Sequence, residues 1–324
     1  AFTVERDDIA LQEPIGNNSE VNRSSGSVLL GVRVYDLDLG NYTTDIDTTT
    51  EFFTYVYNGS AWQEEVEQKN ATHFYLSFDP SCSYIPGLRY WKTNVSNSGW
   101  YKDTESENFW IKIYGDLINT LQTPDGSMNY TKGDQIVLRG LVQDDCSINV
   151  TDATVIFKLT NLDTGDIFSC TSVNNENNGW YNCTWNSSDK PVGWYKVEFV
   201  SSKSYYWNGS ATTTFYLSSA PLLSNPQVVP SSGGWGVPYY NYSVVVSDED
   251  NDTVTVYFWL RNTTGSWQLI DTKICEHCCN NLTWFTHSFT KYEIDTWYYK
   301  FSASDTHGNV GESATGSHSV TKDT

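Results

Sequence analysis

Three similar segments of this 324-residue chain give the main evidence for its fold: Tyr90-Trp91-Lys92, Trp194-Tyr195-Lys196 and Tyr298-Tyr299-Lys300. Each segment begins an apolar run with the length of a β-strand, and successive lysines lie 104 residues apart. A second series of strand-like runs recurs in the same order at intervals of 104 and 101 residues, beginning at Phe53, Phe157 and Phe258. Two series at nearly the same period predict three tandem domains of about a hundred residues.

The composition predicts an all-β protein. Tyr, Trp, Thr, Val and Ser are frequent, only one Met is present, and clusters of Gly, Asn, Asp and Ser separate the apolar runs. Such residues favour short strands joined by turns. About seven strands per unit is typical of an immunoglobulin- or fibronectin-like antiparallel β-sandwich. We therefore predict three tandem sandwiches at residues 21–120, 121–220 and 221–324, preceded by an N-terminal strand or arm at residues 1–20, with a turn-forming linker at residues 121–127.

The charge excludes two classes of partner. The chain has 19 Lys and Arg against 39 Asp and Glu, a formal net charge of −20. A nucleic acid or an anionic lipid surface would therefore be repelled. The apolar runs are far shorter than the roughly 20 residues of a membrane-spanning helix, so we expect no membrane span. The first residues also lack the features of a signal peptide, and Ala1 is expected to begin a mature chain.

Acceptor motifs for N-linked glycans are unusually frequent. The chain contains 27 asparagines, and fifteen of them begin an Asn-x-Ser/Thr sequence, more than twice the number expected by chance. We predict that the protein carries N-linked glycans and is located outside the cell or on its surface. The acceptors are Asn17, Asn22, Asn41, Asn58, Asn70, Asn94, Asn129, Asn149, Asn182, Asn186, Asn208, Asn241, Asn251, Asn262 and Asn281.

Seven cysteines predict disulfides in such an oxidising location. Cys170 and Cys183 flank a turn-rich stretch that would bring their sulfurs together in a hairpin. A Cys-x-x-Cys sequence beside a histidine can be half of a zinc site or a redox pair, but no second ligand pair exists, so a local disulfide is favoured. Its members are Cys275 with either Cys278 or Cys279. Cys82 and Cys146 remain as a pair that would tie the first two domains together, and one cysteine is left over.

The first eight residues, 1–8, resemble the strands that close each repeat, although no domain precedes them. We hypothesise that this segment, and above all Ala1, Phe2, Thr3 and Val4, adds as a strand to a neighbouring copy of the protein. Head-to-tail contacts of this kind generate an open filament or sheet. The alternatives are a frayed terminus, or a chain cut from a longer protein with the same repeats.

Acidic turns recur at one place in each repeat, at residues 36–38, 144–145 and 248–252. In the third turn Asp248, Asp250 and Asp252 could supply oxygen ligands to a calcium ion. The turn lacks the glycine and the distal glutamate of the helix-loop-helix calcium motif, and the alternative is an ordinary polar turn. We expect no other cofactor.

Catalysis is not expected. No phosphate-binding glycine loop occurs in the sequence, and none of the five histidines lies in a recognisable nucleophile or triad sequence. The histidines are His73, His277, His287, His307 and His318. Sugar binding is a stronger alternative, because indoles in or beside turns can stack on sugar rings if several of them form one platform. The candidates are Trp62, Trp207, Trp235 and Trp267.

Several segments resemble archaeal cell-surface proteins that are built from tandem immunoglobulin-like repeats. They are residues 30–36, 77–84, 99–104, 178–185 and 295–301, and the likeness extends over all three units. The resemblance implies an exported, glycosylated component of a surface layer, sheath or filament. The chain differs in having no carboxy-terminal membrane anchor, which self-assembly or release from a larger precursor would explain.

These observations predict a non-catalytic structural protein. We expect three disulfide-bonded, glycosylated immunoglobulin-like sandwiches that assemble with copies of themselves into an extracellular filament, sheath or surface layer. The alternative is a cell-surface adhesin or carbohydrate-binding protein.

Overall fold

A computed structural model describes residues 5–23, 25–45, 52–65, 68–70 and 72–323. All of the regular structure in these residues is β-strand. No helix among them is long and apolar enough to cross a membrane. The strands form three sandwiches in a row, which we call the first, second and third units.

The strands of the first unit alternate buried and exposed residues, as a two-layer sandwich requires; β5, for example, buries Phe52, Thr54 and Val56 on one face. The bounds are β1 Ile9–Ile15, β2 Ser19–Asn22, β3 Val28–Asp36, β4 Asn41–Thr43, β5 Phe52–Tyr57, β6 Trp62–Glu65, β7 Gln68–Lys69, β8 Phe74–Phe78, β9 Gly87–Val95, β10 Thr104–Glu105 and β11 Phe109–Thr123.

The second and third units follow the same pattern. The second contains β12 Asn129–Thr131, β13 Gln135–Asp144, β14 Thr154–Asn161, β15 Ile167–Ser169, β16 Asn174–Asn175, β17 Trp180–Asn186, β18 Gly193–Ser202, β19 Tyr206–Trp207 and β20 Gly209–Ser218. The third contains β21 Leu222–Val229, β22 Ser232–Gly234, β23 Tyr240–Ser247, β24 Val254–Arg261, β25 Gln268–Cys275, β26 Asn281–His287, β27 Asp295–Ser304, β28 Val310–Glu312 and β29 Gly316–Thr321.

All three units share one strand order. In the first, second and third units, one layer has the strand order β1-β3-β8, β11-β13-β17 and β21-β23-β26, respectively. The other layer has, in the same order of units, β2-β11-β9-β5-β6, β12-β20-β18-β14-β15 and β22-β29-β27-β24-β25. In each unit the short first strand of the second layer runs parallel to the last strand, while the neighbouring pairs are antiparallel. This is the arrangement of an immunoglobulin-like sandwich, as the sequence predicted.

The repeated aromatic motif lies in the same strand of each unit: β9, β18 and β27. Its central aromatic is buried in the core in all three units: Trp91, Tyr195 and Tyr299. The following lysine points away from the core and forms an ion pair with a glutamate, as Lys92 does with Glu105 at 2.8 Å. The 104-residue spacing of the motif therefore reflects one core position that is repeated in each unit. Each unit has its own separate hydrophobic core.

Strand β11 belongs to two units at once. Its first part, Phe109–Ile113, pairs with β9 of the first unit, and its second part, from Leu117 to Thr123, pairs with β13 of the second unit. The predicted linker at residues 121–127 therefore includes the end of a continuous 15-residue strand. The turn signals that suggested a linker instead lead from β11 to β12, inside the second unit.

The N-terminal arm predicted at residues 1–20 belongs to the first unit over its described part, residues 5–20. Strand β1 pairs antiparallel with β3, and Ile9 is buried in the first core. The Asp7 N–H donates to the Trp100 carbonyl at 2.8 Å, so residues 5–15 lie on their own unit. The third unit has its own last strand, β29, in the place where a donated strand would add. The proposed assembly residues Ala1, Phe2, Thr3 and Val4 lie outside the described residues.

Candidate functional sites at the joints between units

Each unit has an acidic turn after its β3, β13 or β23 strand, and a buried aspartate begins that turn. Asp36, Asp144 and Asp248 are 3%, 3% and 7% exposed. The first two side chains accept two backbone N–H groups each, at 2.9–3.0 Å. Asp248 accepts one long hydrogen bond of 3.4 Å, from the Asp252 N–H. The turns of the second and third units face the preceding unit, and we call these contacts joint 1 and joint 2.

Joint 1 is held by a buried ion pair that sequence reasoning missed. Arg23 directly follows β2 and is 6% exposed. Its guanidinium donates to Asp144 Oδ2 at 2.8 Å, to both oxygens of Asp145 at 2.6 and 2.9 Å, and to the Tyr84 carbonyl at 3.1 Å. The cation thus satisfies two carboxylates of the next unit in one planar contact, which is the geometry that arginine favours.

The pKa values at joint 1 follow from that contact. Burial lowers the pKa of the Arg23 guanidinium, but its hydrogen bonds to Asp145 and Asp144 raise it overall. Burial raises the pKa of the Asp145 carboxyl, yet the hydrogen bond from Arg23 leaves it below its usual value. Both groups are therefore charged at neutral pH.

Joint 1 is also continuous in covalent terms. Strand β11 passes through it without a break. The disulfide Cys82–Cys146 connects the first unit to the acidic turn of the second, with 5.7 Å between the Cα atoms. Strand β19 runs parallel to β11 at Gly115 and Asp116. These connections restrict bending between the first and second units.

Joint 2 uses weaker contacts. Lys132, which directly follows β12, forms an ion pair with Glu249 at 2.6 Å. The Ser219 N–H and hydroxyl donate to the two oxygens of Asp250 at 3.1 and 2.9 Å. The Tyr216 ring stacks on His307, with 4.7 Å between ring centroids. Among the described residues no disulfide crosses this joint, because the third unit's bond joins Cys275 to Cys278 within that unit.

Three carboxylates and a histidine meet at joint 2. Ligand atoms of Asp250, Asp252 and His307 lie within 4.8 Å of one another, and the Asp248 carboxyl lies against Asp250. Burial raises the pKa of the Asp248 carboxyl well above its usual range, and the Asp250 carboxylate adds to that shift. Burial, followed by the charges of Asp250 and Asp252, raises the pKa of Tyr216 to about 12. The three aspartates singled out in the sequence are therefore brought together.

The remaining disulfide is Cys170–Cys183, between residues 13 apart in the chain. In the third unit Cys275 pairs with Cys278, one of the two partners that the sequence left open, and Cys279 is free and exposed. Cys278 is fully buried in the core of that unit.

The four indoles considered for sugar binding do not form one platform. Trp62 packs edge-on against Tyr57 in the first unit, and Trp207 stacks on Tyr114 at joint 1. In the third unit, Trp235 packs against the core and Trp267 lies under Arg261.

None of the fifteen glycan acceptors is buried. Ten are exposed and the other five are partly exposed. The amide nitrogen that would carry the glycan is engaged in two of the partly exposed group: Asn182 donates to Glu176 at 2.7 Å, and Asn22 donates to Asp116 at 3.4 Å. The exposed acceptors Asn208 and Asn241 are more open to modification.

We therefore expect glycan occupancy to be high at exposed acceptors such as Asn208 and Asn241 and low at Asn182 and Asn22. Glycopeptide mass spectrometry of the native protein measures occupancy at each position. Full occupancy at Asn182, combined with empty exposed sites, would contradict this ranking.

No known protein-family model matches the chain, and no curated protein matches it in sequence. Solved structures do align with it. A tetra-tandem repeat from the extending region of a large adhesion protein is 14% identical, with 98% of this chain and 74% of that chain covered and a TM-score of 0.41. The FN1–FN3 domains of chicken CNTN1 are 12% identical, with 98% and 99% covered and a TM-score of 0.29. The PKD domain of an M14-like peptidase from Thermoplasmatales archaeon SCGC AB-540-F20 is 23% identical, with 33% and 99% covered and a TM-score of 0.24.

Proposed function

We propose that the protein is a non-catalytic structural subunit of an extracellular assembly, in which stiff three-unit rods join end to end. The observation that carries this proposal is the construction of joint 1. A shared strand, an inter-unit disulfide and a buried ion pair all cross the same contact. Restricted bending of this kind serves a spacer or a filament, whereas binding a ligand does not require it.

The two joints lie at opposite ends of the second unit. Strand β13 begins close to Lys132 at joint 2 and ends at Asp144 in joint 1. Ten residues of extended strand span about 33 Å. The units therefore follow one another in a line.

The outer ends of the first and third units expose large apolar side chains. At the end of the first unit, Leu39 of the acidic turn and Trp100 are 73% and 76% exposed. At the opposite end of the third unit, Tyr239 and Tyr292 are 61% and 84% exposed. The acidic turns of the other two units pack against a preceding unit, whereas among the described residues no unit packs on the equivalent turn of the first unit. Apolar side chains at such positions favour contact with a second copy.

The apolar ends predict a specific loss of assembly. Trp100→Ser and Tyr292→Ser together should reduce end-to-end chains of the purified protein to single rods, as seen by negative-stain electron microscopy at matched concentration. Ile167→Ser is the matched control, because Ile167 is also exposed but lies on a side edge strand. Assembly that survives the double substitution and is lost with Ile167→Ser would contradict an end-to-end contact.

Deleting residues 1–4 separates strand donation from packing of the ends. This deletion leaves β1 and the buried Ile9 intact, unlike a longer truncation. If this deletion abolishes assembly and the Trp100→Ser and Tyr292→Ser substitutions do not, the contact is made by Ala1–Val4. Rods that stay single at every concentration in the wild-type protein would overturn the filament proposal and favour a surface adhesin.

A further inference from the structure

Joints 1 and 2 place a basic residue at equivalent positions. Arg23 follows β2 and its backbone N–H donates to the last strand of the first unit, at Tyr114, at 2.8 Å. Lys132 follows β12 and its N–H donates to the last strand of the second unit, at Ser218, at 2.7 Å. The two side chains extend toward the acidic turn of the next unit, so the two joints can be compared directly.

The comparison shows a difference in how the buried aspartate is neutralised. In joint 1 the guanidinium reaches Asp144 itself. In joint 2 the shorter Lys132 reaches Glu249 and stops there, with both Glu249 oxygens within 2.8 Å. No lysine or arginine in the described part of the chain forms an ion pair with Asp248, which is the equivalent of Asp144.

Asp248 is more than nine-tenths buried, and its Oδ2 atom has no hydrogen-bond partner. The carboxyl faces a second carboxylate, that of Asp250. When ionised, this carboxyl is a buried anion with one unpaired oxygen, which is strongly unfavourable, and the like charge of Asp250 beside it adds to the cost. A bound cation is the physical solution that joint 1 already uses.

We propose that joint 2 binds a calcium ion through the carboxylates of Asp248, Asp250 and Asp252. Three carboxylates supply the hard oxygen ligands that calcium prefers, and water can complete the coordination. The His307 imidazole hydrogen-bonds to Asp252 and stacks on Tyr216, so it positions a ligand and does not itself bind the ion. The expected dissociation constant is about 10⁻⁴–10⁻³ M, the range of extracellular modules.

The consequence is a joint whose stiffness depends on calcium. Asp250 already accepts two hydrogen bonds from Ser219, at the end of the second unit. An ion held by Asp250 therefore connects the second unit to the third. This inference does not depend on end-to-end assembly.

The test uses the full chain after removal of divalent ions with a chelator. Calcium titrated into the wild-type protein should bind at one site by calorimetry, and it should raise the melting temperature by several degrees at ten times the dissociation constant. Asp248→Asn should weaken calcium binding at least tenfold. Asp38→Asn, in the acidic turn of the first unit, is the matched control and should leave binding unchanged.

A second readout distinguishes loss of the site from misfolding. In chelator, Asp248→Asn should melt at or above the wild-type temperature, because it removes a buried carboxylate. No calcium response in the wild-type protein at 10 mM, on the order of ten times the weakest affinity expected, would overturn the proposal. Binding of zinc alone, abolished by His307→Ala, would overturn it too.

Discussion

Replacing Arg23 with alanine is expected to destabilise the first two units by about 3–5 kcal/mol. The substitution leaves the carboxylates of Asp144 and Asp145 without a compensating charge. Asp144 is 3% exposed, and the side chain of Asp145 is 8% exposed. It also removes the hydrogen bond to the Tyr84 carbonyl. Urea denaturation monitored by tryptophan fluorescence measures the change in the free energy of unfolding.

Two substitutions serve as controls for Arg23. Arg6→Ala breaks an exposed ion pair with Asp103 and should cost less than about 1 kcal/mol. Asp144→Asn and Asp145→Asn introduced together should recover part of the stability lost in Arg23→Ala, since the unpaired charges are then removed. A loss under 1 kcal/mol for Arg23→Ala would show that the ion pair does not hold joint 1.

The ion pair also predicts a pH dependence. Burial raises the pKa of Asp145, but the hydrogen bond from Arg23 makes the folded-state pKa lower than the unfolded value of 3.8. A lowered carboxyl pKa stabilises the folded state above the unfolded pKa, and the contribution is lost as pH falls through the folded value. The wild-type and Arg23→Ala proteins should therefore approach each other in stability below pH of about 4.

Removing the disulfide at joint 1 is the second large effect. Cys82→Ser with Cys146→Ser opens a loop between residues 64 apart in the chain. The loop-closure entropy of such a length corresponds to about 4 kcal/mol at 25 °C. We expect a loss of that order in the free energy of unfolding, measured by denaturation of the oxidised protein.

The disulfide inside the second unit is the matched control. Cys170→Ser with Cys183→Ser opens a loop between residues 13 apart, for which the same relation gives about 3 kcal/mol. Only the joint 1 substitution should also increase bending between units. Equal flexibility of the two variants would mean that β11 and Arg23 alone determine the joint.

The fold could be predicted from the sequence because its period is repeated in the core. The central aromatics of the three motifs are buried at the same strand position, and one such signal per unit fixes the number and the length of the units. The acidic turns were also recognised, because aspartates follow an apolar strand in each repeat. Their position at the joints could not be predicted, because the sequence does not show which ends of neighbouring units face each other.

The sequence predicts the Cys82–Cys146 pair across joint 1, but strand β11 and Arg23 escaped sequence reasoning for two physical reasons. The alternation of β11 continues through the domain boundary, and the turn after Thr123 was mistaken for a linker. Arg23 has no local signal, since its two carboxylate partners lie more than 120 residues away in the chain. The one available signal was its spacing of 109 residues from Lys132, close to the period of the repeat.

The first unit's initial strand was misplaced for a related reason. Residues 1–8 resemble in sequence the strands that close each repeat. The structure shows that β1 is instead equivalent to the second part of β11, which opens the second unit. Because β11 is shared between two units, its own residues do not show that its second part opens the second unit.

The shape of the full chain in solution tests the central claim most directly. Small-angle X-ray scattering of the protein at neutral pH in the presence of calcium should give a maximum dimension on the order of 100 Å, from three units of about 33 Å or more in a line. The profile should be that of a rigid rod. A compact particle, or the scattering of three freely jointed beads, would contradict a stiff structural subunit.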